Sequence, residues 1–178
     1  MHVSARKMSF LGLMMAFSVV LVILGSVIEM STLFFLALAS FCTGIVVKEH
    51  GTYLGAAFYT GSVLLCFFLT PGNKLYVLTY GGMAFYLLVT DFVWTKLLKA
   101  KSTKRNSIII NVFKLFIFNA MYIPVLIYAP SLVLTQEINQ YVLIGLIVAG
   151  QVVLVIYDRA FQYFIGRHWL DMKRKMKI

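Results

Sequence analysis

Acidic side chains are the scarcest chemistry in this chain: six Asp and Glu stand against sixteen Lys and Arg, with three His and two Cys. So few carboxylates form no acid/base pair at helical spacing, and no G-x-S-x-G, H-E-x-x-H or P-loop pattern takes their place. Cys42 and Cys66 stand singly in apolar stretches, where a thiol acts as a small hydrophobe. Without a C-x-x-C or a Cys/His cluster, a metal set is not expected. His50 and His168 have only Glu49 and Asp171 as acidic neighbours, which is too little for a ligand role. The expectation is a chain with no catalytic residues, no metal and no resident cofactor.

What is abundant is apolar surface. Of 178 residues, 61% are hydrophobic and 12% charged, and the mean hydropathy is +0.91. One soluble core could not hide so much, so the chain reads as an integral membrane protein. A bilayer-spanning helix needs about 20 mostly apolar residues. Six runs qualify, at about 8–28, 32–47, 52–70, 75–97, 107–130 and 140–165, followed by a basic tail at 166–178. The fold class expected is all-α: a six-transmembrane-helix bundle in one domain covering 1–178. The first run is longer than the apolar core of a signal peptide, and "LGSVIEM" is a poor cleavage site, so it is expected to be retained.

Basic residues are retained on the cytoplasmic side of membrane proteins. With the N-terminus inside, Arg6 and Lys7, "VKEHG", "KLLKAKSTKR" and "DMKRKMKI" all fall in the cytoplasm. "EMST", "TPGNK" and "APSLVLTQEIN" fall outside, with Lys74 as their one basic residue. Both termini are therefore expected to be cytoplasmic. The same distribution argues against nucleic acid, because these charges flank helices and form no groove with interleaved aromatics. Anionic headgroups are the expected partners of the basic loops, and a soluble protein is the alternative.

Ionisable groups inside the spans are costly and face a bundle interior or a wet cavity. Asp91, Lys114 and Asp158 each lie about two turns, roughly 10 Å, from a cytoplasmic helix end, with Arg159 beside the last. They are expected to form one cluster, serving either as a structural clasp or as a coupling or proton site. Gln151, Asp158 and Gln162 share one stripe of the sixth run; Asn111, Lys114 and Tyr122 share one of the fifth, with Asn119 to its flank. Such stripes act as interhelical hydrogen-bond glue or line a pocket. Tyr59, Phe67, Phe68, Tyr76, Tyr80, Phe118, Tyr122 and Tyr128 crowd the external halves of the third to fifth runs. They suit a pocket wall or an interfacial aromatic belt.

Near its start, "MSFLGLMMAFSVVLVILGSVI" spaces Gly12 and Ala16 four apart. In lipid, close helix contact depends on packing, and a small-x-x-x-small step opens a groove for another helix. That helix belongs either to the same bundle or to another protein. With its basic start, the segment resembles the first helix of the substrate-binding S components of energy-coupling factor (ECF) transporters, although Gly12 stands where that family favours Ala. "GTYLGAAFYTG", with Gly51, Gly55 and Gly61, is similar to the glycine-spaced start of that family's third helix.

The resemblance implies a non-enzymatic subunit that captures a vitamin-like small molecule from outside. Its partners would be a transmembrane coupling subunit and paired ATPases, with Gly12 and Ala16 as the docking face. The ligand site would lie at external helix ends and loops, where local chemistry nominates Glu29, Asn73, Lys74, Tyr80 and Tyr122. A metal substrate is disfavoured, since only His2 lies near the start and the outer segments lack a His/Asp set. The alternatives are a membrane scaffold or regulatory subunit, and a lipid-handling enzyme using the charged cluster.

Overall fold

The protein's structure, a computed structural model, describes residues 5–28, 31–71, 74–98, 104–128 and 140–169. Six α-helices account for almost all of them: α1 Ala5–Val27, α2 Thr32–His50, α3 Thr52–Leu69, α4 Leu75–Leu98, α5 Lys104–Tyr128 and α6 Gln140–Tyr163. α6 continues into a π-helical turn, Phe164–Trp169. Helices α1 to α4, and Ile144–Arg167 at the end of the chain, are each long and apolar enough to cross a membrane. α1, with 23 residues, extends about 35 Å at the α-helical rise, more than a typical hydrocarbon core. The described apolar stretch of α5, Ile108–Ile123, is shorter. The chain is an all-α, multi-pass membrane protein.

The apolar runs set these helices, and most ends fall within three residues of the run boundaries. α2 runs further than its apolar stretch, taking in Lys48, Glu49 and His50. Basic groups in a last turn complement the negative end of the helix dipole. α5 likewise continues past Pro124 to Tyr128.

The chain divides into two compact units, Met1–Lys114 and Leu115–Ile178. In the first, α2 is the central helix and packs against α1, α3 and α4. It is buried continuously from Ala39 to Val47, as a helix enclosed on several sides must be. Its small residues Ala39, Ser40 and Gly44 admit neighbouring helices closely. One core cluster joins Val19, Leu21 and Val22 of α1, Leu36 and Ala39 of α2, Cys66 of α3, and Val77, Tyr80 and Ala84 of α4. Another joins Cys42, Val46 and Phe58, with Phe10, Leu11, Met14 and Met15 of α1 against it.

The α2–α3 turn explains two of the glycines in "GTYLGAAFYTG". Gly51 has φ +85° and ψ 170°, a region open to glycine alone, and its N–H reaches the Val47 carbonyl at 2.9 Å. One turn later, a Cβ on Gly55 would overlap Val47 Cγ2 and lie 3.2 Å from Val47 Cα. At the α1–α2 turn, the Thr32 hydroxyl donates to the carbonyls of Gly25 (2.8 Å) and Ile28 (3.3 Å).

The second unit is organised by an α5–α6 pair. Gln151 Nε2 donates to Asn119 Oδ1 at 2.6 Å, and the Tyr122 hydroxyl to the Leu146 carbonyl at 3.0 Å. The Tyr122 ring stacks on Phe118, centroids 5.0 Å apart, and lies against Gly150. A Cβ there would overlap the ring, coming within 2.7 Å of Cζ and 3.0 Å of the hydroxyl oxygen. Gly150→Ala is expected to displace Tyr122 and break its bond to Leu146, at a cost of about 1–3 kcal/mol, typical of overpacking. Thermal unfolding in detergent checks this, and Tyr122→Phe should lose much less because the ring stays in place.

Candidate functional site

The N-terminal half of α1 keeps one face open. α1 buries Ser18, Val19, Leu21, Val22 and Gly25, all in its C-terminal half. In the other half Met8, Leu13 and Phe17 are more than half exposed, and Gly12 and Ala16 are exposed among them. A Cβ added to Gly12 would meet nothing within 4 Å. The small-residue step is therefore not used for packing among the described residues. Gly61 of the second glycine motif is used that way, since its Cβ would lie 3.1 Å from Met15 Cε. The two motifs thus divide the work: one seats the helices of the unit, and the other leaves a thin strip on its surface.

Each described ligand candidate has partners of its own. Tyr80 is 0% exposed and donates its hydroxyl proton to Ser62 Oγ at 2.8 Å, inside the first unit. Lys74 Nζ donates to the carbonyls of Phe67 and Thr70, both at 2.8 Å, and sits 5.3 Å from the Phe67 ring centroid. It thereby satisfies carbonyls that the end of α3 leaves open. Tyr122 belongs to the α5–α6 pair of the other unit. Glu29 and Asn73 lie outside the described residues. Of the aromatics flanking this region, Phe67 is half exposed and Phe68 is 78% exposed, so both face away from the fold, as rings of an interfacial belt do. Nothing is described of the Tyr128 side chain.

The cation that meets Asp91 is Lys48, whose Nζ lies 2.5 Å from Asp91 Oδ1. Sequence spacing placed Lys48 in a loop, whereas the longer α2 carries it to the level of Asp91 on α4. Two groups at matching depths near helix ends were the available signal. Of the other expected cluster members, Lys114 is half-buried and Arg159 exposed, while Asp158 accepts a 2.7 Å hydrogen bond from Gln162 Nε2 on its own helix. Gln151, from the same α6 stripe, is bound instead to Asn119, the residue that the spacing set to the flank of α5.

Lys48 keeps 39% of its side chain exposed against 12% for Asp91, so the pair sits at an edge and is partly screened. Lys48→Met is expected to destabilise the first unit by about 1 kcal/mol, the upper end for exposed pairs. Lys48→Arg should retain stability, and adding Asp91→Asn to Lys48→Met should restore part of the loss. A thermal-shift series in detergent reads all three.

Sequence reasoning missed a second polar group, a hydroxyl hub around Tyr80. Besides Ser62, the hydroxyls of Thr43 and Ser18 lie against the Tyr80 hydroxyl, so α1, α2, α3 and α4 contribute one each. Serines and threonines in membrane helices carry no distinctive spacing, because their hydroxyls commonly return to a carbonyl one turn back.

Among the described residues, no three His, Cys, Asp or Glu side chains come together as a metal-binding set. Compared with known proteins, the chain matches no family model, no curated protein and no solved structure.

Proposed function

We propose that this chain is a non-enzymatic subunit of a bacterial cell-membrane complex, and that it docks a partner's membrane helix on the N-terminal half of α1. One observation carries the reading: Gly12 and Ala16 are exposed, and among the described residues no neighbouring helix comes within 4 Å of where a Gly12 side chain would begin. Helices associate in lipid through close packing, so a thin strip left open by its own fold suits a second protein. The positive-inside pattern puts this strip, with Arg6 and Lys7, on the cytoplasmic side, where anionic lipids cover the basic helix ends.

In the form suggested by the S-component resemblance, the subunit captures a vitamin-like small molecule from outside. A transmembrane coupling subunit with paired ATPases then drives uptake. A second reading, scaffold or regulatory subunit of another membrane complex, has its own support: Lys74, Tyr80 and Tyr122 are each engaged inside the fold. Affinity purification from native membranes in mild detergent, with mass spectrometry of proteins and released small molecules, separates the two. A coupling subunit, ATPases and a released compound support capture; repeated recovery of a different complex without a ligand supports the scaffold. Recovery of the chain alone in both analyses contradicts docking.

A further inference from the structure

The exposed face of α6 changes character along its length. Val148, Val152 and Val155 are each more than half exposed, and steps of four residues from Val155 bring Arg159, Tyr163 and Arg167 to the same stripe, because residues three and four apart share a helix face. Eight residues of unbroken α-helix would carry Arg167 about 80° around the axis from Arg159. α6 ends instead in the π-helical turn Phe164–Trp169, whose i→i+5 bonds rotate the chain less per residue and so return Arg167 towards the stripe. The Arg167 guanidinium carbon stands 5.9 Å from the Tyr163 ring centroid, within cation–π range. Arg159, Tyr163 and Arg167 are all exposed. Asp158, the acidic neighbour of Arg159, accepts a hydrogen bond from Gln162 Nε2 at 2.7 Å, and Arg159 enters no ion pair among the described residues. Two cations therefore bracket one aromatic ring at the end of an apolar stripe.

We propose that this stripe binds one anionic phospholipid, with its phosphate held by Arg159 and Arg167 and an acyl chain along Val155, Val152 and Val148. Ile144–Arg167 is long and apolar enough to cross a membrane, so the arginines stand at its boundary, where the headgroups lie. A guanidinium presents a planar fork of donors that matches phosphate oxygens, and an aromatic ring beside it limits the freedom it must lose on binding. Tyr163 thus positions Arg167, and as an interfacial aromatic it sits at headgroup level. Arg159 lies about two turns deeper and reaches the headgroup by extending its stem along the helix. Two positive charges on one lipid favour a headgroup of net negative charge over a zwitterionic one, whose ammonium they repel. The valines select a lipid over a free phosphate ion, which would have no use for them. The site is independent of docking on α1.

Native mass spectrometry of the full chain in detergent tests the site, with dioleoylphosphatidylglycerol and dioleoylphosphatidylethanolamine as competing probes. The last lipid released on collisional activation is expected to be phosphatidylglycerol. Arg159→Gln with Arg167→Gln should cut its retention about tenfold or more, each single variant should lose part of that, and Tyr163→Leu, which keeps both charges, should weaken it too. Lys7→Gln with Lys96→Gln removes the same charge from exposed positions elsewhere and should retain this lipid as wild type does. Equal loss in the lysine control, no preference between the two headgroups, or unchanged retention in the double-arginine variant would each overturn the proposal. So would full displacement of the lipid by millimolar inorganic phosphate, which would make the ligand a free anion.

Discussion

Gly55→Val abolishes the folded first unit, while Gly12→Val leaves it intact. The two glycines lie in similar small-residue motifs of neighbouring helices, so composition gives no reason for the contrast. Geometry does. A Cβ on Gly55 would overlap Val47 Cγ2 and lie 3.2 Å from Val47 Cα, whereas one on Gly12 meets no neighbouring helix within 4 Å among the described residues. Rotating Val47 relieves the side-chain overlap but not the approach to its backbone.

Val47 cannot retreat, because it ends the fully buried stretch of α2 and its carbonyl accepts from Gly51. Gly51 itself holds a φ of +85°, so the turn has little freedom to open. Overpacking alone costs about 1–3 kcal/mol, and branching at Cβ adds atoms on the crowded side. Against a typical total stability of about 5–15 kcal/mol, that is a large share. In fluorescence-detected size-exclusion chromatography, Gly55→Val is expected to lose the monodisperse peak, and Gly55→Ala to retain it with a lower Tm. Gly12→Val should elute as wild type.

The second large effect is on association. Gly12→Leu combined with Ala16→Leu is expected to cut recovery of the docked partner at least about tenfold, equivalent to about 1.4 kcal/mol, with the bundle still folded. Two leucines fill the strip that allows helix backbones to approach, and close approach is what drives pairing in lipid. Neither addition meets the chain's own core, since Gly12 and Ala16 are exposed and α1 buries its residues from Ser18 onward. Circular dichroism and chromatographic profile should match wild type while the partner is lost. If the double variant unfolds, the strip serves internal packing and the docking account fails.

The helices were legible in the sequence because membrane spans are written as run length, a one-dimensional property. α2 shows where this stops: its apolar run ends at Val47, yet the helix continues through Lys48, Glu49 and His50, where basic groups such as Lys48 complement the negative end of the helix dipole. That extension hid the partner of Asp91. Pairing was less legible than position. Gln151 and Asn119 were both visible as intramembrane amides, but their 2.6 Å bond depends on how α5 and α6 rotate against each other. The hub was the least legible feature, because Ser18, Thr43 and Ser62 resemble many other small polar residues until four helices bring them to Tyr80. The exposure of Gly12 was likewise undetermined, since a small-x-x-x-small step reads the same whether it faces inward or outward.

Site-specific photo-crosslinking in the native membrane tests the docking strip most directly. A photoreactive side chain would be placed in turn at positions 12, 16 and 68. Phe68 is exposed on α3, away from the strip, and serves as the lipid-facing control. The account predicts one discrete membrane-protein adduct from positions 12 and 16 and none from 68. Crosslinks from 12 and 16 to lipid alone, matching those from 68, would contradict it.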